Sequence, residues 1–135
     1  MIWNYGENMK SLKLKWKFVK PPKLEAIPRE PGIYIISTQQ YHDDEYEVKY
    51  VGQTENLYER AKEHWSKKEK NKLLKRHIAE RYVMKFSFSI VSLEKERDGL
   101  ELFLYNTYSP PFNMNAPPGE TVIRCTSLPE VRKRY

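Results

Sequence analysis

Apolar and polar positions alternate with a period of two along Leu12-Lys13-Leu14-Lys15-Trp16-Lys17-Phe18-Val19, the pattern of a strand that is apolar on one face. Its lysines suit an edge strand, because charge there discourages edge-to-edge pairing; the same lysines also suit an arm that touches a phosphate backbone. Pro28 and Pro31 break the chain, and Gly32 to Ser37 then reads as a buried strand. The polar segment 39–47 fits the tip of a long hairpin, and Val48 to Gly52 is its return strand. Met84, Phe86, Phe88 and Ile90 alternate with Lys85, Ser87, Ser89 and Val91, which predicts a further strand.

Between and after these strands the period changes. Asn56-Leu57-Tyr58-Glu59 has the form of a capping box opening a helix that runs to about Trp65. Asn71 or Lys72 to Tyr82 reads as a second helix, and Leu93 or Glu94 to Tyr108 as a third. Pro110-Pro111 stops the third, since a residue before proline is pushed out of the helical region. The expectation is an α/β (α+β) domain, a small three-stranded, mostly antiparallel sheet flanked by three helices. We expect a basic N-terminal extension over 1–30, a folded central domain over 31–115 and a C-terminal tail over 116–135.

The chain has 135 residues, enough to bury a core without disulfides or a structural metal. The single Cys125 favours a reducing compartment. The first eight residues lack the basic and apolar regions of a signal peptide, and no run approaches the ~18 apolar residues of a membrane span, so a cytoplasmic location away from membranes is expected. Lys and Arg outnumber Asp and Glu by 24 to 18, giving a net charge of +6. That excess suits a polyanionic partner, although mild basicity alone is common among small soluble proteins.

Candidate chemistry begins with two tyrosines beside glycines, in Gly32-Ile33-Tyr34 and Tyr50-Val51-Gly52. A hairpin would bring both phenols to one face, and a phenol can donate, accept or act as a base. Arg60 and His64, four apart, share a helix face beside the stripe of Leu57, Ala61 and Trp65. Glu101 stands among Leu100, Leu102, Phe103 and Leu104; it either points to solvent or holds a cation. Asn113 alone suggests a turn. The acidic His42-Asp43-Asp44-Glu45 reads as a solvated loop, since consecutive residues on a flexible tip rarely converge on one ion. Lys62, Lys67, Lys68, Lys70, Lys72, Lys75 and Arg76 form a basic surface suited to positioning phosphates. Trp65 and His77 lie among them, as core residues or as platforms for base stacking.

Taken together, these positions make the chain resemble the GIY-YIG nuclease family from Gly32 to Asn113, about 60% of its length. Gly32-Ile33-Tyr34 matches the first motif. Tyr50-Val51-Gly52 matches the second, with valine for isoleucine. Arg60 and His64 match the family's R-x-x-x-H, Glu101 stands where the family keeps its metal carboxylate, and Pro110-Pro111-Phe112-Asn113 matches its P-P-[LF]-N segment. One departure is the fifteen residues between the motifs, Ile35 to Lys49, longer than the family usually has. The excess falls in the hairpin tip, where insertion costs little closure entropy.

The resemblance implies a metal-dependent endonuclease that hydrolyses phosphodiesters in DNA, with RNA left open as a substrate, by in-line attack of water. It implies Tyr34 as general base, helped by a divalent cation, Arg60 and a hydrogen bond to His64, with either Tyr34 or His64 as the final proton carrier. Tyr50 would position water or phosphate, and Arg60 would offset charge on the phosphate. Glu101 would hold Mg²⁺ or Mn²⁺, and Asn113 would orient Glu101, Tyr34 or the substrate. A complete set of core positions argues against the competing reading, a non-catalytic DNA- or RNA-binding module on the same scaffold. With no appended recognition module visible, a sequence-tolerant or structure-selective enzyme is expected. The sequence does not define an oligomeric state.

Overall fold

The computed structural model describes residues 10–39, 46–80, 83–119 and 121–129. Its elements in chain order are β1 (Ser11–Leu12), β2 (Lys17–Val19), β3 (Gly32–Gln39), β4 (Tyr46–Thr54), α1 (Leu57–His64), α2 (Lys72–Ala79), β5 (Val83–Ile90), α3 (Glu94–Tyr108) and β6 (Arg124–Cys125). The main sheet is antiparallel with strand order β2-β5-β3-β4. It has four strands rather than the three expected. Lys17–Val19 pairs with Phe86–Phe88, so the lysine-rich stretch supplies the outer strand. The rest of that stretch leaves the sheet, and Ser11–Leu12 instead runs parallel to Arg124–Cys125 as a separate two-stranded ribbon.

The sheet is buried on both faces at its centre, and β3 is buried from Gly32 to Thr38. Ile33 and Ile35 point to one side, where they meet Val51, Leu100 and Leu104, with Leu12, Leu14 and Trp16 packed over them. Tyr34 and Ile36 point to the other, into a cluster with Leu57, Ala61, Leu74 and Phe86. This two-sided burial explains why β3 reads as a continuous apolar run. Gly32 is needed where β3 starts: a Cβ there would collide with the Ser89 carbonyl and come within 2.7 Å of Leu57.

The hairpin strands are longer than the sequence suggested, so Gln39, Tyr46 and Glu47 belong to the ladder. The His42–Glu45 cluster lies outside the described residues, and α2 stops at Ala79 with Glu80 as its C-cap, short of the Tyr82 expected. Pairing shifts by one residue after Ile36↔Tyr50, leaving Lys49 as a bulge on β4. The Lys49 carbonyl accepts from the Phe112 N–H at 2.9 Å, so the loop after α3 covers the outer edge of β4. Helix α3 ends where Ser109 turns into the left-handed region at φ 46°, just before Pro110. Among the described residues no helix is long and apolar enough to cross a membrane.

Candidate active site

The hairpin register brings the two phenols together. Tyr34 pairs with Gly52 and Ile36 with Tyr50, so both tyrosines rise from one face with ring centroids 6.1 Å apart. Tyr34 is 1% exposed and stacks on Phe86 at 5.0 Å. Gly52 is the floor beneath it: a Cβ at this position would overlap the Tyr34 oxygen and lie 2.5 Å from Cζ. We expect Gly52→Ala to push the ring off its place, lowering stability by about 1–3 kcal/mol and cutting activity further than that loss alone. Denaturant midpoints and rates measured on the same preparation test this; an unchanged midpoint would refute the contact.

Helix α1 delivers the next two groups. Asn56 caps it, its Oδ1 accepting from the Glu59 N–H at 3.0 Å. Only half of the expected capping box forms: the Asn56 N–H donates to Thr54 Oγ1 at 3.1 Å, and Glu59 pairs with Arg29. Leu57, Ala61 and His64 lie on the buried side of the helix, so His64 sits in the apolar stripe rather than beside it. Its Nε2 is 2.8 Å from the Tyr34 oxygen, and its Nδ1 is 2.5 Å from Glu69 Oε2. Burial holds the His64 pKa below its ordinary value, while Glu69 pulls the other way. Burial pushes the Tyr34 phenol well above 10, and neighbouring Tyr50 adds to the rise, with Arg60 opposing it. Arg60 is partly exposed and ion-pairs with Glu63.

Glu101 comes from α3, across the edge of β4 from the tyrosines. Burial lifts its carboxyl to about 7; the Gln53 amide hydrogen bond opposes this, and Asp98 adds to it. Gln53 is itself held in place: its Nε2 donates to Asp98 and its Oε1 accepts from Arg97 Nε at 3.0 Å. Arg97 is buried and also donates to the Val91 and Ser92 carbonyls. Asn113 pairs with the Val51 backbone through both ends of its amide, at 2.9 Å each. It thus ties the loop after α3 to β4 as a strand would.

Tyr50, Arg60, Glu69, Glu101 and Asn113 line one open groove of about 400 Å³. Tyr34 and His64 lie behind its wall, at the Tyr50 and Arg60 side. All six of the family-pattern positions therefore gather at one place on the β4 edge. Of the basic residues singled out, Lys70 lines the groove. Lys62, Lys67, Lys68, Lys72, Lys75 and Arg76 are exposed on α1, α2 and the turn between them. Trp65 is partly buried and packs edge-on against Phe86, and His77 packs edge-on against Phe112 at 5.1 Å.

Sequence reasoning missed Glu69, Gln53 and Arg97. The only signal for Glu69 was a lone acid inside Lys67-Lys68-Glu69-Lys70. Gln53 and Arg97 gave none, because their value lies in contacts between β4 and α3.

The family model for the GIY-YIG catalytic domain matches residues 30–115. UvrABC system protein C of Mycoplasma genitalium is 29% identical over 92 residues, which are 68% of this chain and 14% of that protein; the chain thus spans a small part of that relative's length. The GIY-YIG N-terminal endonuclease domain of UvrC from Thermotoga maritima, solved with magnesium as its catalytic divalent cation, is 24% identical with a TM-score of 0.51, covering 68% of this chain and 92% of that one. A point mutant of that domain, bound to the catalytic divalent cation, is 22% identical with the same TM-score and covers 69% and 92%. At these identities the solved structures speak for the fold, and the family match speaks for the lineage. By the match over 30–115, the chain belongs to the GIY-YIG endonuclease family.

Proposed function

We propose that this protein is a metal-dependent endonuclease that hydrolyses phosphodiester bonds in DNA, with Tyr34 as the general base. The observation that carries the reading is the single groove on the β4 edge, where Arg60, Tyr50 and Glu101 converge with the Tyr34–His64 pair directly behind. We take residues 31–115 as the catalytic unit. Of the flanking segments, β2 adds the outer strand to its sheet and Ile27 joins the core on the Tyr34 side, while β1 pairs with β6 on the α3 side.

The residues present fit a hard divalent cation. Glu101 is a partly buried carboxylate with a second acid, Asp98, beside it, and among the described residues no basic side chain forms an ion pair with it. Burial raises its pKa to about 7, an electrostatic cost that a bound cation would relieve. No cluster of three His, Cys, Asp or Glu exists among the described residues, which disfavours a closed zinc site. One carboxylate completed by water and substrate phosphate is a magnesium-like arrangement. Glu101 would hold Mg²⁺ or Mn²⁺, which when bound would supply positive charge to phosphate oxygens.

The chain's own residues supply the rest. Arg60 stays charged and faces the groove, suited to gripping a non-bridging oxygen as charge builds there. Tyr34 accepts the proton of the attacking water while passing its own to His64 Nε2. A phenol held well above 10 is a poor standing base, so the two transfers must be coupled. Tyr50 positions the water or the phosphate, and Asn113 keeps the groove's far wall closed on β4. A second reading makes Tyr50 the base, because Tyr50 lines the groove whereas Tyr34 is almost wholly buried.

The test is a cleavage panel of supercoiled, branched and single-stranded DNA together with RNA, with magnesium or manganese. Metal-dependent cutting of DNA is expected. Replacing Lys67, Lys68 and Lys70 with glutamine should weaken binding across all sequences and flatten its salt dependence, by roughly 0.9 in the log–log slope for each duplex phosphate that a lysine no longer neutralises. Salt-sensitive binding with no cleavage under any divalent ion would leave only the non-catalytic reading.

A further inference from the structure

We infer that Glu69 is a positioning residue that locks His64 in the one neutral tautomer able to take a proton from Tyr34. The inference builds on the endonuclease reading for its purpose, but its geometry stands apart from it. Glu69 is 6% exposed although both neighbours, Lys68 and Lys70, are exposed. A surface glutamate in a lysine run has every reason to stay in water, and this one turns inward onto a buried imidazole.

Both its oxygens are engaged. Oε2 faces His64 Nδ1 at 2.5 Å, and Oε1 accepts from the Asn71 N–H at 2.9 Å. Asn71 is fixed in turn: its Oδ1 caps α2 at Leu74, 3.1 Å away, and its Nδ2 donates to the Phe112 carbonyl at 2.7 Å. The carboxylate is therefore clamped by the start of α2, which is itself fastened to the loop that closes the β4 edge.

A carboxylate only accepts, so the hydrogen of the neutral ring resides on Nδ1. Nε2 then presents its lone pair, and the Tyr34 hydroxyl, 2.8 Å away, donates to it. The opposite tautomer would point an N–H at the phenol and make Tyr34 the acceptor, with nowhere to send its proton. During attack the water O–H bond breaks and its proton goes to the Tyr34 oxygen, as the Tyr34 proton moves to Nε2. The resulting imidazolium faces the Glu69 carboxylate, which offsets its charge, and the proton later leaves for the departing oxygen or solvent. No electrons are exchanged.

Glu69→Gln tests the assignment. The amide keeps the Asn71 N–H satisfied only with its oxygen on that side, which turns its NH₂ onto Nδ1 and drives the ring to the Nε2–H tautomer. Nitrogen chemical shifts of ¹⁵N-labelled histidine, read on protein without metal or nucleic acid, should place the His64 hydrogen on Nδ1 in the parent and on Nε2 in the variant. With DNA and magnesium, kcat should fall by about 10²- to 10⁴-fold with KM little changed. Glu69→Asp, which keeps the acceptor-only carboxylate, should retain the Nδ1–H signal and recover part of the rate, separating tautomer control from a folding defect. A parent with hydrogen on Nε2, or a Gln variant that keeps kcat within twofold, would overturn the inference. If the parent cuts nothing yet the substitution switches the tautomer, the positioning role stands and the endonuclease reading falls.

Discussion

Tyr34→Phe is expected to abolish most cleavage while leaving nucleic-acid binding and the fold almost unchanged. The ring would keep its stacking on Phe86 and its contact with Gly52, so the core loses no volume apart from one oxygen. The cost to stability is the unsatisfied Nε2 of buried His64, about 1–3 kcal/mol. The cost to the reaction would be larger, about 10²- to 10⁴-fold in kcat, because on the proposed mechanism a positioned proton acceptor is removed from the transition state alone. Tyr50→Phe gives the contrast. If Tyr34 is the base, the Tyr50 variant retains more activity, since Tyr50 would only steady water or phosphate. A Tyr34→Phe enzyme within a few-fold of the parent, beside a dead Tyr50→Phe enzyme, would transfer the role to Tyr50. Single-turnover rates with saturating enzyme, read beside binding isotherms at one salt concentration, make the comparison.

The parts of this site legible in the sequence were those that repeat at a fixed spacing or sit in a linear motif. Tyr34 and Tyr50 could be put on one face because strands alternate, and Arg60 and His64 on one helix because four residues make about a turn. What periodicity could not give was which side of α1 is buried, so His64 emerged inside the apolar stripe rather than next to it. The fourth strand was half visible. The alternation at Leu12–Val19 announced a strand, but its partner β5 lies far along the chain, and nothing in either segment encodes the pairing of Phe18 with Ser87. Only three residues of that alternating stretch joined the sheet; Leu14 left the ladder, with its N–H and carbonyl both bonded to the Ser127 hydroxyl. Glu69 was hidden for a related reason. Its five-residue offset from His64 crosses a helix end, where no repeat applies, and the lysines around it advertise a solvated turn.

Glu101→Gln should make the metal-free protein more stable at pH 8 while removing its activity, and the opposition of these effects is the signature of a site held at a cost to the fold. The carboxyl titrates near 7 in the folded chain against 4.5 when unperturbed. Its folded pKa is raised, so the folded state binds the extra proton more tightly than the unfolded one. The penalty is therefore absent below the unfolded value, grows as pH rises from about 4.5, and is complete above about 7. The full shift would correspond to about 3 kcal/mol. Partial exposure reduces it to roughly 1–2 kcal/mol. Glutamine keeps the shape and a hydrogen-bonding end for Gln53 but carries no charge, so the variant should melt about 3–6 °C above the parent at pH 8. The two should melt together near pH 4.5. Magnesium should raise the parent's melting temperature at pH 8 and leave the variant's in place, because only the parent would bind it in the folded state. Cleavage should fall by about a hundredfold or more, the loss expected when charge stabilisation of several kcal/mol is withdrawn from the phosphate. Equal melting at pH 8, or equal stabilisation of both proteins by magnesium, would remove Glu101 from the metal's coordination and leave its burial without a function. Gain of stability on neutralising one carboxylate, confined to the pH range where it is charged and cancelled by the cation, has no counterpart for a glutamate that merely faces solvent.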